Sequence, residues 1–384
     1  MERLLICDNA GYANYSVYLC NALADLQKKF KVYYLTEKGN QYLNDLDKGV
    51  ILSTDLYTGN KSLKRKSLQW WINRTFGRIK IVGSKIREIG KTSPDVIIFQ
   101  SLAPVYDQYV LKLLKRKSKI VFTVHNVIPH EKTVYWSMKS LKKVYELCDF
   151  LVVHTEENRN ELLTTFHIDE SKVRVINHGI SLDYEIVDVE CEKKKLGIED
   201  NKPVLLAYGG IRDYKGTDIL IKACRGIDCH LIIAGATIGD INFSDYEKLI
   251  EENKIDAICM NRFISNEESN TLFQIADFIV LPYKEFHSQS GVFMQAIQYG
   301  KTVIASDVAS FRNFVEQYDL GYICEPNNVQ SLNKTIGEAI AAVSSPKDHA
   351  LVRQLFSWET SAKEYIKVID LIVHKRIGEE TDDR

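Results

Sequence analysis

Arg212 and Lys215 stand in the stretch Tyr208-Gly-Gly-Ile-Arg-Asp-Tyr-Lys-Gly216, directly after the apolar run Pro203 to Ala207. Glycines at the end of a strand, Gly209 and Gly210 here, let the backbone approach a ligand closely. A helical pattern then opens at Gly216, with Ile219, Leu220, Ile221 and Ala223. Arginine offers a planar fork of donors and lysine a mobile point charge, a pair suited to two linked phosphates. Cations at a helix start oppose the helix dipole, so a purely structural role is unfavourable without an anion. A second stretch, Ser290-Gly-Val-Phe-Met-Gln-Ala296, follows the apolar run Phe278 to Leu281 and begins another helix near Gly291. Two helix N-termini and two cations converging on one anion describe a nucleotide-diphosphate site.

The elements that must position these groups alternate along the chain. Short runs rich in Val, Ile and Phe predict strands at 2–7, Lys31–Leu35, Val50–Ser53, Asp95–Phe99, Ile120–Val124 and Phe150–Val153, with helices between, the first from about Asn14 to Lys28. The pattern pauses at Asn177-His-Gly-Ile180, and an acidic connector, Asp183 to Glu192, reads as a linker. Alternation restarts at Val204–Ala207 and continues through His230–Ala234, Ala257–Met260, Phe278–Leu281 and Thr302–Ala305. A helix is expected over Trp358 to His374, with the polar end from Gly378 frayed. Such alternation predicts an α/β fold of parallel sheets covered on both faces, with ligands beyond the carboxyl ends of the strands. The expected organisation is two Rossmann-like domains facing across a cleft: 1–180, a linker at 181–200, and 201–356, followed by 357–384 as a helix returning toward the first domain.

The totals agree with that picture. A chain of 384 residues, 45% apolar and 26% charged, exceeds one ordinary core and has the balance of a soluble globular protein. No run approaches the length of a membrane span, and the start, Met-Glu-Arg-Leu-Leu-Ile-Cys-Asp, reads as a strand instead of a signal peptide. The eight cysteines have no metal-ligand or disulfide spacing, which fits a reducing cytoplasm. The net charge of −1 conceals a basic first half and an acidic second half. Such a split suits an anionic partner for the basic half.

The combined set Gly209-Gly-Ile-Arg-Asp-Tyr-Lys-Gly-Thr-Asp218, Leu231-Ile-Ile-Ala-Gly235, Leu281-Pro-Tyr283, Ser290-Gly-Val292 and Gly300-Lys-Thr-Val-Ile-Ala-Ser306 resembles the family-four retaining glycosyltransferases of the GT-B fold. The likeness is weaker in Val121-Phe-Thr-Val-His-Asn-Val-Ile-Pro-His130 and Val175-Ile-Asn-His-Gly179. The resemblance implies transfer of a sugar, with retention, from a nucleotide-diphosphate donor to a saccharide or lipid-linked acceptor held by the first domain, in assembly of a surface polysaccharide or glycolipid. It implies that Arg212 and Lys215 bind the diphosphate, residues around Phe263 line the base, and Ser290, Gly291 and Val292 contact phosphate and sugar. His125 matches a histidine near the anomeric centre, and Gly11 with Tyr12 would approach the donor. Where the family often carries a glutamate pair, this chain has His287 and Gln295; the Gln295 amide can still bond a ribose hydroxyl. No acidic metal cluster is visible, so protein cations are expected to replace a divalent ion, with the nucleotide sugar a co-substrate and no cofactor.

Other stretches bear on competing functions. Gly300-Lys-Thr302 lacks the earlier glycine of a P-loop and leads into a strand, which excludes an NTPase reading. Asp8-Asn-Ala-Gly11 lacks the spaced glycines of a dinucleotide fingerprint, and no nucleic-acid motif is present. His125 follows an apolar strand, so a structural role competes with an active-site one, and His130 and His178 are open to either role. Residues 61–91 hold ten basic residues and one acid, with Leu68, Ile72, Phe76, Ile79, Val82, Ile86 and Ile89 at helical spacing and Trp70 and Trp71 beside them. This is either a domain helix with solvated charges or a surface for anionic lipid at the inner face of the membrane. A non-catalytic nucleotide-sugar-binding subunit and a sugar-nucleotide epimerase of similar fold remain alternative readings.

Overall fold

The computed structural model describes residues 2–8, 11–26, 30–40, 42–56, 68–129, 136–286, 290–342 and 349–382, with side chains from 80 within the helix that starts at 68 and up to 373 in the last helix. The chain forms two units, Met1–Gly179 with Trp358–Arg384, and Ile180–Ser357.

The first unit holds a seven-stranded sheet, all parallel, built from β1 (Glu2–Cys7), β2 (Phe30–Leu35), β3 (Ile51–Ser53), β4 (Val96–Phe99), β5 (Lys119–Thr123), β6 (Phe150–Val153) and β7 (Val173–Val175) in the order β3-β2-β1-β4-β5-β6-β7. All four residues of β4 and of β6 are buried, as unbroken apolar runs in a sheet covered on both faces must be. One face packs against the helix Ala13–Leu26 and the returning helix Trp358–Asp382; the other carries Ile89, Leu111, Leu141, Val144 and Leu162. The second unit repeats the plan with β8 (Val204–Tyr208), β9 (His230–Ala234), β10 (Ala257–Met260), β11 (Phe278–Leu281), β12 (Thr302–Ser306) and β13 (Gly321–Cys324), ordered β10-β9-β8-β11-β12-β13 and again parallel. The α/β class of two Rossmann-like parallel-sheet domains is the one the sequence predicts.

Several details differ from expectation. The linker expected at 181–200 lies inside the second unit, and Val189–Lys195 within it is a helix capped by Asp188, with acids in its first turn and lysines in its last. Strands β7 and β13 were not anticipated, and the last helix continues past Gly378 to Asp382. That helix belongs to the first unit, where Trp358, Ala362, Tyr365 and Ile369 join the core. A Cβ on Gly179 would fall 2.2 Å from the Trp358 ring, so glycine is what lets the indole pack there.

The basic stretch resolves into one helix, Leu68–Thr92, in spite of its internal glycines. Residues 61–67 and the side chains of Trp70 and Trp71 lie outside the description. In the described part, Ser84, Lys85, Glu88 and Ile89 face inward, while Val82 and Ile86 are half-buried. Lys85 is fully buried and its ammonium lies 3.0 Å from both Asp107 oxygens, while Arg87 and Lys91 both bond Glu88. Lys85 is thus withdrawn from any lipid surface by its buried pairing with Asp107, while Arg87 and Lys91 share the one Glu88 carboxylate and stay exposed.

Candidate active site

In the second unit, β8 delivers the chain to Gly209, whose φ of +91° favours glycine, and the approach of its backbone to Gly235 requires glycine at 235, where a Cβ would sit 2.2 Å from the Gly209 carbonyl oxygen. Arg212 is extended and exposed, Asp213–Lys215 form a short 3-10 turn, and Gly216 caps the seven-residue helix Thr217–Ala223 in the left-handed region. A Cβ on Gly216 would lie 2.0 Å from the Pro282 carbonyl oxygen, so the loop after β8 is pressed against the loop after β11. Lys284 fastens the two loops. Its backbone N–H donates to Tyr214 O at 2.7 Å, and its ammonium lies 2.9 Å from Asp213 Oδ1 and 3.1 Å from Asp218 Oδ1. The carboxylates of the loop are thereby occupied by Lys284 instead of by Arg212 or Lys215.

Lys215 is the cation held closest to the glycine turn. Its ammonium donates to Tyr208 O at 3.4 Å and lies 5.7 Å from the centre of the Tyr283 ring. A Cβ on Gly209 would be 3.0 Å from that ammonium and 3.4 Å from Val292 Cγ2, so Lys215, Gly209 and Val292 meet at one point. Burial first and the Arg212 charge second bring Lys215 down to about 8. An ammonium so destabilised gains from an anion beside it.

The second stretch behaves as expected. Ser290 caps the helix Gly291–Gln298 by accepting the Phe293 N–H at 3.3 Å, and its hydroxyl is 3.2 Å from the Tyr283 hydroxyl. Gly291 is exposed at this N-terminus, Val292 is buried, and Gln295 is half-buried one turn on. His287 lies outside the described residues. Gly210 and the 72%-exposed Phe263, which follows β10, also lie beyond carboxyl ends of the sheet, with Arg262 and Glu268 paired beside Phe263.

In the first unit the sequence-predicted residues gather around His125. Gly11 begins the turn into the helix Ala13–Leu26, and Tyr12 stacks on the His125 ring at 3.7 Å between centroids and 12° between planes. His154 Nδ1–H donates to Ile176 O at 2.9 Å, which leaves His154 Nε2 to accept from His125 Nδ1–H at 3.1 Å. His125 Nε2 then carries no proton, and proton counting turns the Gln100 amide, 3.0 Å away, so that its N–H donates to that nitrogen. Burial holds His125 well below the usual histidine range, with His154 and His178 adding to the effect. His125 is therefore a neutral imidazole fixed in one tautomer, suited to hydrogen bonding and not to carrying charge. His178 packs among Tyr15, His154 and Trp358 and bonds the Gly179 carbonyl, a structural role. His130 lies outside the described residues.

Sequence reasoning missed His154, Gln100, Tyr365 and Lys284. A signal for the histidines was present: His125, His154 and His178 each follow, within three residues, the end of β5, β6 or β7. Tyr365 comes from the returning helix, where its hydroxyl meets Tyr15 at 3.0 Å and Thr123 at 2.7 Å. Among the described residues no cluster of three or more His, Cys, Asp or Glu could hold a metal ion.

Comparison with known proteins decides the family. Residues 10–184 match the family described as Glycosyltransferase Family 4, and residues 188–353 match Glycosyl transferases group 1. The chain belongs to the family-four, group-one glycosyltransferases. Curated relatives of this glycosyltransferase include an uncharacterized glycosyltransferase of Methanocaldococcus jannaschii, 25% identical over 58% of this chain and 60% of that protein. A D-inositol 3-phosphate glycosyltransferase of Corynebacterium aurimucosum is 26% identical over 58% of this chain and 56% of its own length. The chain thus spans well under two thirds of these relatives. Among solved structures, sucrose-phosphate synthase from Thermosynechococcus elongatus superposes with a TM-score of 0.76 at 16% identity, covering 98% of this chain and 100% of that one. Anabaena HepE in complex with UDP-glucose gives 0.71 at 14%, covering 96% and 100%. At these identities the structural likeness speaks for the fold, which is GT-B in class.

Proposed function

We propose that this glycosyltransferase moves a hexosyl group from a nucleotide-diphosphate sugar to a saccharide acceptor with retention of anomeric configuration. The observation that carries the reading is the meeting of Lys215, Gly209 and Val292, with the loop carboxylates drawn away by Lys284. As the bond from the anomeric carbon to the diphosphate oxygen breaks, charge gathers on the leaving group. Arg212, Lys215 and the exposed Gly291 N-terminus stabilise that charge. The acceptor oxygen forms the new bond on the same face, and its proton passes to the departing phosphate oxygen, a route that asks for no carboxylate base. Gln295 holds the ribose and Phe263 the base in this reading. HepE, of the same fold, was solved in complex with UDP-glucose, which makes a nucleotide sugar the first donor class to try.

The finer parts of the proposal are metal-independent turnover, a lipid-linked acceptor in surface polysaccharide or glycolipid assembly, and peripheral attachment to anionic lipid. The last is supported by exposed Tyr109 and Leu113 beside exposed Lys112, Lys115, Arg116 and Lys117, and no helix among the described residues is long and apolar enough to cross a membrane. Proton NMR of the first product formed from a nucleotide sugar, with EDTA present, tests the chemistry. An α-configured donor should give an α-linked product; a β-linked product or a strict metal requirement would sink it.

A further inference from the structure

The first unit contains a cavity of about 330 Å³ beside His125, at the low end for small-molecule pockets and far larger than one water needs. It sits where β5 and the starts of the helices Pro104–Leu114 and Met138–Leu147 come together. Its walls are mainly apolar and aromatic: Leu102, Pro104, Phe122, Trp136, Leu141 and Tyr145. Tyr145 is anchored by donating its hydroxyl proton to Val127 O at 2.7 Å, which fixes that wall.

The polar end is small and specific. His125, Gln100 and Asn126 line it together with Tyr12. Asn126 Nδ2 donates to the Tyr12 hydroxyl at 3.0 Å, while Asn126 Oδ1 is buried and has no hydrogen-bond partner among the described residues. A buried carbonyl oxygen without a donor costs free energy that a ligand hydroxyl would recover. Asn126 Oδ1 thus offers an acceptor that a bound hydroxyl would use.

We infer that this cavity binds a hydroxyl-bearing acceptor with an apolar body, an alkyl or aryl glycoside or alcohol. The hydroxyl end bonds Asn126 beside His125, and the apolar body lies against Phe122, Trp136 and Leu141. The inference rests on the transferase reading for the fate of that hydroxyl, but the binding itself does not. Apolar surface leaving water is the driving force, so affinity grows with the apolar body and not with charge.

The test compares methyl, octyl and phenyl glucosides with the full-length protein, by saturation-transfer NMR for binding and by kcat/KM at fixed nucleotide sugar for transfer. Octyl or phenyl glucoside should bind at least tenfold more tightly than methyl glucoside and be used at least tenfold better. A gain with octyl alone indicates a lipid source, and a gain with phenyl alone an aromatic one. Ala103→Phe, which fills the cavity, should erase the preference while nucleoside diphosphate binding, seated in the other unit, stays intact. Asn126→Ala should weaken all three glucosides alike, since each presents a hydroxyl. Methyl glucoside binding as well as the other two, or a preference that survives Ala103→Phe, overturns the inference. Loss of nucleotide binding in the wild type would instead remove the transferase reading, and the binding arm would still decide the cavity.

Discussion

Replacing Lys215 by methionine should make the protein more stable and less able to bind a nucleotide. The folded structure lowers this lysine from 10.5 to about 8, through burial and the neighbouring Arg212 charge. That drop corresponds to about 3 kcal/mol of penalty on the charged form, and partial solvent access reduces the usable part to about 1–2 kcal/mol. At pH 7 the ammonium is charged in the folded and unfolded chain alike, so the whole penalty stands. Between pH 8 and 10.5 the folded-state lysine gives up its proton first, and the penalty fades. Lys215→Met should therefore gain about 1–2 kcal/mol in urea unfolding at pH 7, an advantage that shrinks above pH 8. Transfer should meanwhile fall by about 100- to 1,000-fold, the scale for losing one preorganised charge donor. A variant less stable than wild type at pH 7 would mean that Lys215 is held by favourable contacts, and the case for a waiting anion site would collapse.

Three other outcomes follow from named contacts. Burial lowers His154 to about 3 and His178 to about 4, so both fold neutral, and stability is lost as pH falls from about 6.5 toward these values. At pH 5 each costs up to about 2 kcal/mol; His178→Phe should flatten the acid limb of a thermal-melt profile, and an unchanged limb would refute the assignment. Lys284→Met frees Asp213 and Asp218 beside the cations and should weaken nucleoside diphosphate binding by about fivefold, on the scale of a partly exposed charge. Lys284→Arg should restore it, and calorimetry that finds both variants equal would remove the positioning role. Gly216→Ala meets a left-handed backbone and the Pro282 carbonyl together, so it should cost at least about 2 kcal/mol in urea unfolding; a neutral result would show that the two loops are not pressed together.

Much of the fold was legible because buried parallel strands leave unbroken apolar runs. Phe150–Val153, His230–Ala234, Ala257–Met260 and Phe278–Leu281 were bounded to the residue. The strand Val173–Val175 was missed because three residues with an arginine in the middle carry no such run, and Gly321–Cys324 because it opens on a glycine. The connector at 181–200 read as a linker from its acids, yet its helix is stabilised by those same acids at one end and the lysines at the other. In the candidate site, the local structure around Arg212, Lys215 and Ser290, a glycine turn and a helix start, was readable from neighbouring residues. Partners supplied from far along the chain were not. Tyr365 reaches Tyr15 across 350 residues, and Lys284 reaches Asp213 across 71. Counting charges on residues 61–91 also overstated their free charge, since burial of Lys85 against Asp107 is a tertiary fact.

The proposed diphosphate clamp is tested most directly by calorimetric titration of nucleoside diphosphates in EDTA, comparing wild type with Arg212→Ala. Arg212 is exposed, so its removal leaves the fold alone, and what changes is charge at the turn after β8. The account predicts that wild type binds at least one of UDP, GDP and ADP without metal, and that Arg212→Ala weakens that binding by at least about tenfold, the equivalent of one lost charge-assisted contact. Wild-type affinity in Arg212→Ala, or no binding of any nucleoside diphosphate, would contradict it.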